Sequence, residues 1–187
     1  MNRWLAIAIN VTAFDALWTL AMFGAGKPWW WAAPALIVLS LVVQLRVSPS
    51  PRCEACVILG GAFFGTSLDW LGASLGWFHY APESRAQFLI VFYLLWVNFG
   101  TTLRPSLRWM WRRPLLGGAL GAIGGPVAYW VGSRIGAISL GEAEWRGLVW
   151  VAAQYGIALP LWMLVADRVI GEQGGTGLRP SVPGVTR

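Results

Sequence analysis

Of the 187 residues, 57% are hydrophobic and only 12% are charged, with a mean hydropathy of +0.58. A water-soluble domain carries about twice that charged fraction, so a soluble enzyme is excluded and an all-α, polytopic membrane protein is expected. The formal net charge of +6 then reads as a topological signal, and nucleic acid is not an expected partner.

Apolar runs of the length a bilayer requires, about 17–25 residues, lie near 4–24, 29–45, 55–76, 86–103, 115–135 and 147–169. They predict a bundle of six transmembrane helices forming one domain over 1–170, with a disordered tail over 171–187 that is too rich in Gly and Pro to bury apolar surface. The first run begins with Arg3 and ends in the small residues Gly24, Ala25 and Gly26, which superficially fit a cleavable leader. Asn10 and Asp15 interrupt it and five further spans follow, so an uncleaved first helix is expected.

Before the third run, Cys53 and Cys56 form a lone C-x-x-C. A structural zinc site needs four ligands, and the single histidine, His79, falls at the opposite end of that span. Two reduced thiols, no metal and no cofactor are therefore expected. Within the run, Gly61, Gly65, Gly72 and Gly76 share one helical sector, as do Gly117, Gly121, Ala128 and Gly132 in the fifth. Such faces let transmembrane helices approach closely, within the chain or in a homo-oligomer. Gly124-Gly125-Pro126 and Pro160 are expected to loosen the fifth and sixth spans. Of the fourteen Trp, several mark span ends: Trp4, residues 29–31, Trp77, Trp109, Trp111 and Trp145. That is the pattern of an aromatic belt at headgroup depth.

With six spans, one side holds Arg3, Arg46, Arg52, Arg104, Arg108, Arg112, Arg113, Arg168, Arg179 and Arg187, and the other Lys27, Arg85, Arg134 and Arg146. The bias places both termini in the cytoplasm. An excess of Arg over Lys suggests a GC-rich bacterial genome, and hence the inner membrane.

The polar residues inside the spans carry the candidate chemistry. Asp69 lies on the glycine sector of the third span and points into the bundle. At about 1.5 Å per residue, Asp69, Tyr129 and Gln154 all come out roughly 20 Å from the cytoplasmic ends of their spans, with Asp15 near 16 Å. No Lys or Arg shares that layer. An acid there is costly unless neutral, so Asp69 is expected to carry a proton. It is either an interhelical hydrogen bond or a general acid or relay, with Tyr129 beside it. A second layer near the cytoplasmic face contains Asn10, Asn98, Thr101 and Thr102, followed by Ser106 and the run 104–113. Pro105 suits the first turn of a short interfacial helix, on which Arg104, Arg108 and Arg112 would line one stripe able to hold anionic phospholipid.

Two stretches are recognisable: Thr-Thr-Leu-Arg-Pro-Ser-Leu-Arg-Trp over 101–109, and Gly-Gly-Pro-Val-Ala-Tyr-Trp-Val-Gly-Ser-Arg-Ile-Gly-Ala over 124–137. With Asn10, Phe14 and Trp18 in register, the chain resembles domain of unknown function family 2878 over essentially its whole length apart from the tail. The resemblance implies a multi-pass bacterial membrane protein, in some cases encoded among lipid-modification genes, and implies no activity. The family pattern has Gln at the position of Asp15, which argues against an essential acid there, and lacks the cysteine pair.

Together these features predict a membrane protein that binds or handles a lipid or other apolar small molecule. Two alternatives stay open: a small enzyme modifying an acyl or isoprenoid lipid with Asp69 as acid, and a proton-coupled transporter acting as an oligomer.

Overall fold

The computed structural model describes residues 2–80 and 85–171. The tail expected to be disordered lies outside them from residue 172 onward. Six helices account for most of the fold: α1 (Arg3–Gly24), α2 (Ala32–Val47), α3 (Pro51–Ser74), α4 (Arg85–Gly100), α5 (Pro114–Arg134) and α6 (Glu144–Ala166), the last continuing into a π turn, Asp167–Gly171. Two-residue strands β1 (His79–Tyr80) and β2 (Ile138–Ser139) pair antiparallel, Tyr80 opposite Ile138.

Four helices (α1, α3, α5 and α6 with its π turn) are long and apolar enough to cross a membrane, and the chain is a membrane protein on that basis. The other two, α2 and α4, have 16 residues each, or about 24 Å of rise against a hydrocarbon core of about 30 Å. The expected spans 29–45 and 86–103 had each absorbed residues that turn. Trp30 N–H bonds to the Lys27 carbonyl, so 29–31 precede the helix. Thr101 and Thr102 return their hydroxyls to the Asn98 and Phe99 carbonyls at 2.7 and 2.6 Å, where α4 stops.

Local chemistry sets several other boundaries. Pro51 and Pro114 stand in the first turns of α3 and α5, where the missing N–H costs nothing. The two helices also end alike. Gly76 and Gly136 take φ of 74° and 77°, and the N–H of the next residue, Trp77 or Ala137, reaches back to the carbonyl of Gly72 or Gly132. This left-handed stop directs each chain into its strand, so the β1–β2 pair joins the α3 and α5 ends at one end of the bundle. Trp30 packs there too, against a cluster that includes Ala33, Phe78, Tyr80 and Ile138. The opposite end gathers Asn10, Glu54 and the turns over 101–113, above a core containing Ile58, Val97, Trp162 and Met163. Successive helices therefore run in alternating directions.

The glycine faces are used inside the chain, in two different ways. On α5, a Cβ at Gly121 would fall 2.5 Å from the Tyr155 carbonyl oxygen, and one at Gly118 3.0 Å from that of Gly156, so α5 and α6 meet backbone to backbone. On α3, the space left by Gly61, Gly65 and Gly72 is taken by the indoles of Trp162, Trp96 and Trp150. Trp111, at one end of the bundle, is buried within the protein, its N–H bonded to the Leu103 carbonyl at 3.0 Å. By contrast α1 is peripheral and buries only Ala21, Met22 and Gly24.

Candidate functional site

Asp69 is fully buried on α3, one turn beyond Gly65. Its Oδ1 accepts from the Tyr129 hydroxyl at 2.5 Å and from Gln154 Nε2 at 2.6 Å, and its Oδ2 accepts from Trp96 Nε1 at 2.5 Å. One carboxyl group thus joins α3 to α4, α5 and α6. An indole N–H only donates, whereas a tyrosine hydroxyl donates or accepts. With the Gln154 amide set to donate, the Asp69–Tyr129 bond is the one that can reverse if Asp69 holds a proton. Gln154 Oε1 is buried without a partner among the described residues. The ring of Trp96 is clamped, stacked on Tyr155 with centroids 4.7 Å apart. Tyr129 is held edge-on by Phe78 at 5.0 Å.

Asp69, Trp96 and Tyr129 are among the residues lining a cavity of about 380 Å³ bounded mainly by α1, α4, α5 and α6. Phe14, Asp15, Trp18 and Met22 supply the α1 wall, while Leu120, Gly124 and Val127 line the α5 side. Leu120 and Val127 are 44% and 54% exposed, so the opening faces sideways from the bundle, not along its axis. Asp15 is exposed at this opening and makes no hydrogen bond or ion pair among the described residues.

The second polar layer is a separate network at the other level of the bundle. Asn10 Nδ2 donates to the Thr101 carbonyl at 3.3 Å, Ser106 Oγ donates to Asn10 Oδ1 at 2.6 Å, and Asn98 Nδ2 donates to the Phe14 carbonyl at 3.0 Å. These bonds fasten α1 to the end of α4. The basic interfacial helix expected over 104–113 is not formed. The segment is a series of turns with one 3-10 turn, Arg108–Met110, within which Leu103, Met110 and Trp111 are all buried. The arginine stripe dissolves accordingly. Arg104 turns inward to Glu54 Oε2 at 2.8 Å, Arg108 lies over the Trp111 ring at 5.9 Å, and Arg112 approaches Asp167 at 3.8 Å.

Sequence reasoning brought Asp15, Asp69, Tyr129 and Gln154 to one level, and the structure gathers them: three line the cavity and Gln154 bonds to Asp69. It missed Trp96, whose signal was a Trp far from either span end. It also missed Glu54, 1% exposed and ringed by Gln44 at 2.7 Å, Ser48 at 2.5 Å and Arg104. An acid in the first turn of a span, beside a basic loop, was the available clue. Among the described residues no three His, Cys, Asp or Glu side chains converge as a metal site would require.

Neither the curated proteins nor the solved structures yield a match to this chain. Residues 7–161 match the model of a family described as protein of unknown function (DUF2878), and the chain belongs to that family.

Proposed function

We propose that this is an inner-membrane protein whose six helices all cross the bilayer, with both termini cytoplasmic, and that it takes a lipid or other apolar small molecule from the membrane into the side of its bundle. Alternating helix directions support the six crossings, as does the distribution of charge. Arg46, Arg52, Arg104, Arg108, Arg112 and Arg113 gather at the end opposite the β1–β2 pair. The observation that carries the ligand reading is the lateral cavity. Its walls are apolar and aromatic, it opens among exposed α5 side chains, and buried Asp69 and Tyr129 are among its few polar lining residues. Small-molecule sites have this make-up, an apolar enclosure with a few placed polar groups. The exposed Arg108, Arg112 and Arg113 remain the candidates for anionic phospholipid headgroups, without Arg104.

One geometric feature favours a second reading, in which Asp69 is a proton donor to the bound molecule. Tyr129 faces the cavity and makes the reversible bond to Asp69, so a proton can pass between the two oxygens without moving the indole or the amide.

Gly124 offers the test. It lines the cavity, and a Cβ there would meet nothing within 4 Å, so Gly124→Leu adds bulk to the cavity wall at a position with open space at Cβ. In nanodiscs, a diazirine-bearing fatty alcohol should crosslink to peptides from α1 and α5 around Phe14, Trp18 and Val127, and Gly124→Leu should suppress this. Crosslinks spread evenly over the membrane-facing surface, and indifferent to the substitution, would overturn the reading.

A further inference from the structure

Asp15 is the unexplained group in this cavity. It is the thirteenth residue of α1, about 18 Å along the helix from Arg3, well inside the span, and it has no hydrogen bond or ion pair among the described residues. Asp69 is no help to it, since Asp69 already accepts from three donors. Among the cavity-lining residues the acids are Asp15 and Asp69, and no Lys, Arg or His joins them. The arginines stand at the ends of the bundle. A lone carboxylate in mid-membrane is costly unless something compensates it.

The walls around Asp15 suggest what does. Phe14, Trp18, Phe92, Phe99 and Tyr155 all line the cavity, with Phe14 and Phe99 edge-to-face at 5.9 Å. Aromatic faces attract cations through their quadrupole, and more strongly where water is scarce. An anionic ligand would add a like charge beside Asp15, and a neutral one would leave the acid to lose its charge by taking up a proton. Among ligands, a cation compensates the ionised carboxylate directly.

We infer that the molecule this cavity takes is a lipophilic cation, such as a protonated amine or quaternary ammonium, with its apolar body between the aromatic walls and its charge beside Asp15. This rests on the cavity reading above and adds the charge of the ligand.

The experiment uses the full chain in phosphatidylcholine nanodiscs, whose zwitterionic surface does not itself select cations. Equilibrium dialysis compares three probes of related shape: tetraphenylphosphonium, neutral triphenylphosphine and anionic tetraphenylborate. The cation should bind most tightly. Asp15→Asn, which keeps size and hydrogen bonding, should weaken the cation by about tenfold or more and leave triphenylphosphine unchanged. Gly124→Leu should weaken both. If triphenylphosphine binds as well as the cation, or if Asp15→Asn affects neither or both alike, the charge inference is wrong and the cavity reading stands. If none of the probes binds, or Gly124→Leu changes nothing, the cavity reading falls and this inference with it.

Discussion

Trp96 reaches Asp69 only because Gly65 has no side chain. The indole lies across the α3 backbone at Gly65 and delivers its N–H to Asp69 Oδ2, one turn further along the same helix. A Cβ at Gly65 would stand inside the ring's contact distance. Gly65→Ala should therefore push Trp96 aside, break its bond to Asp69 and destabilise the protein by roughly 1–3 kcal/mol, the usual cost of overpacking. Gly60 is the control, since a Cβ there meets nothing within 4 Å. Thermal unfolding in detergent should lower the midpoint for Gly65→Ala and leave Gly60→Ala at or above the parent. Equal behaviour of the two would remove the steric role of Gly65.

Asp69 itself separates structure from chemistry. In Asp69→Asn the Gln154 amide can flip, presenting its unpartnered Oε1 to the new N–H, and the Tyr129 hydroxyl can reorient, so the fold should survive with little loss. Asp69→Leu strands three donors. At about 0.6 kcal/mol per interhelical bond in a membrane, the loss should be roughly 2 kcal/mol. If Asp69 donates a proton to the bound molecule, Asp69→Asn should fold like the parent yet fail to restore the lipid profile of a deletion strain. Full restoration would limit Asp69 to holding helices together.

Glu54 and Arg104 tie the first turn of α3 to the turns after α4. Removing one partner of a buried pair typically costs roughly 3–5 kcal/mol. Glu54→Gln should fall on the low side of that range, because the Arg104 side chain is 22% exposed and water can partly take over. The double variant Glu54→Gln, Arg104→Gln should be less destabilised than the two single losses added together. A double-mutant cycle of unfolding midpoints with no coupling would show that the pair is bystanding.

The proposed orientation can be read with native side chains. Lys27 is the single lysine and is exposed at the β1–β2 end; Cys56 is exposed near the start of α3, toward the opposite end. A membrane-impermeant amine reagent should modify Lys27 in intact spheroplasts, whereas an impermeant maleimide should reach Cys56 only in inverted vesicles. The reverse pattern would place the arginine-rich end outside.

Residue types alone determined that this is a helical membrane protein, because runs such as 147–169 have no stable home in water and backbone polar groups in lipid must bond within a helix. They also brought Asp69, Tyr129 and Gln154 to one level, since rise per residue is constant along a helix. What they did not determine was anything set by side chains meeting across helices. The glycine sector of α3 reads from periodicity as a helix-packing face, yet it accepts indoles, because a wheel shows which residues share a face and not what fills it. The arginine run reads as an amphipathic helix, yet it folds into turns in which Arg104 reaches Glu54, fifty positions away, a partner that no local pattern names. The cavity is likewise a property of the assembled bundle. It exists because α1 stands apart from the tight α5–α6 contact, and no local pattern records how far apart two helices come to rest.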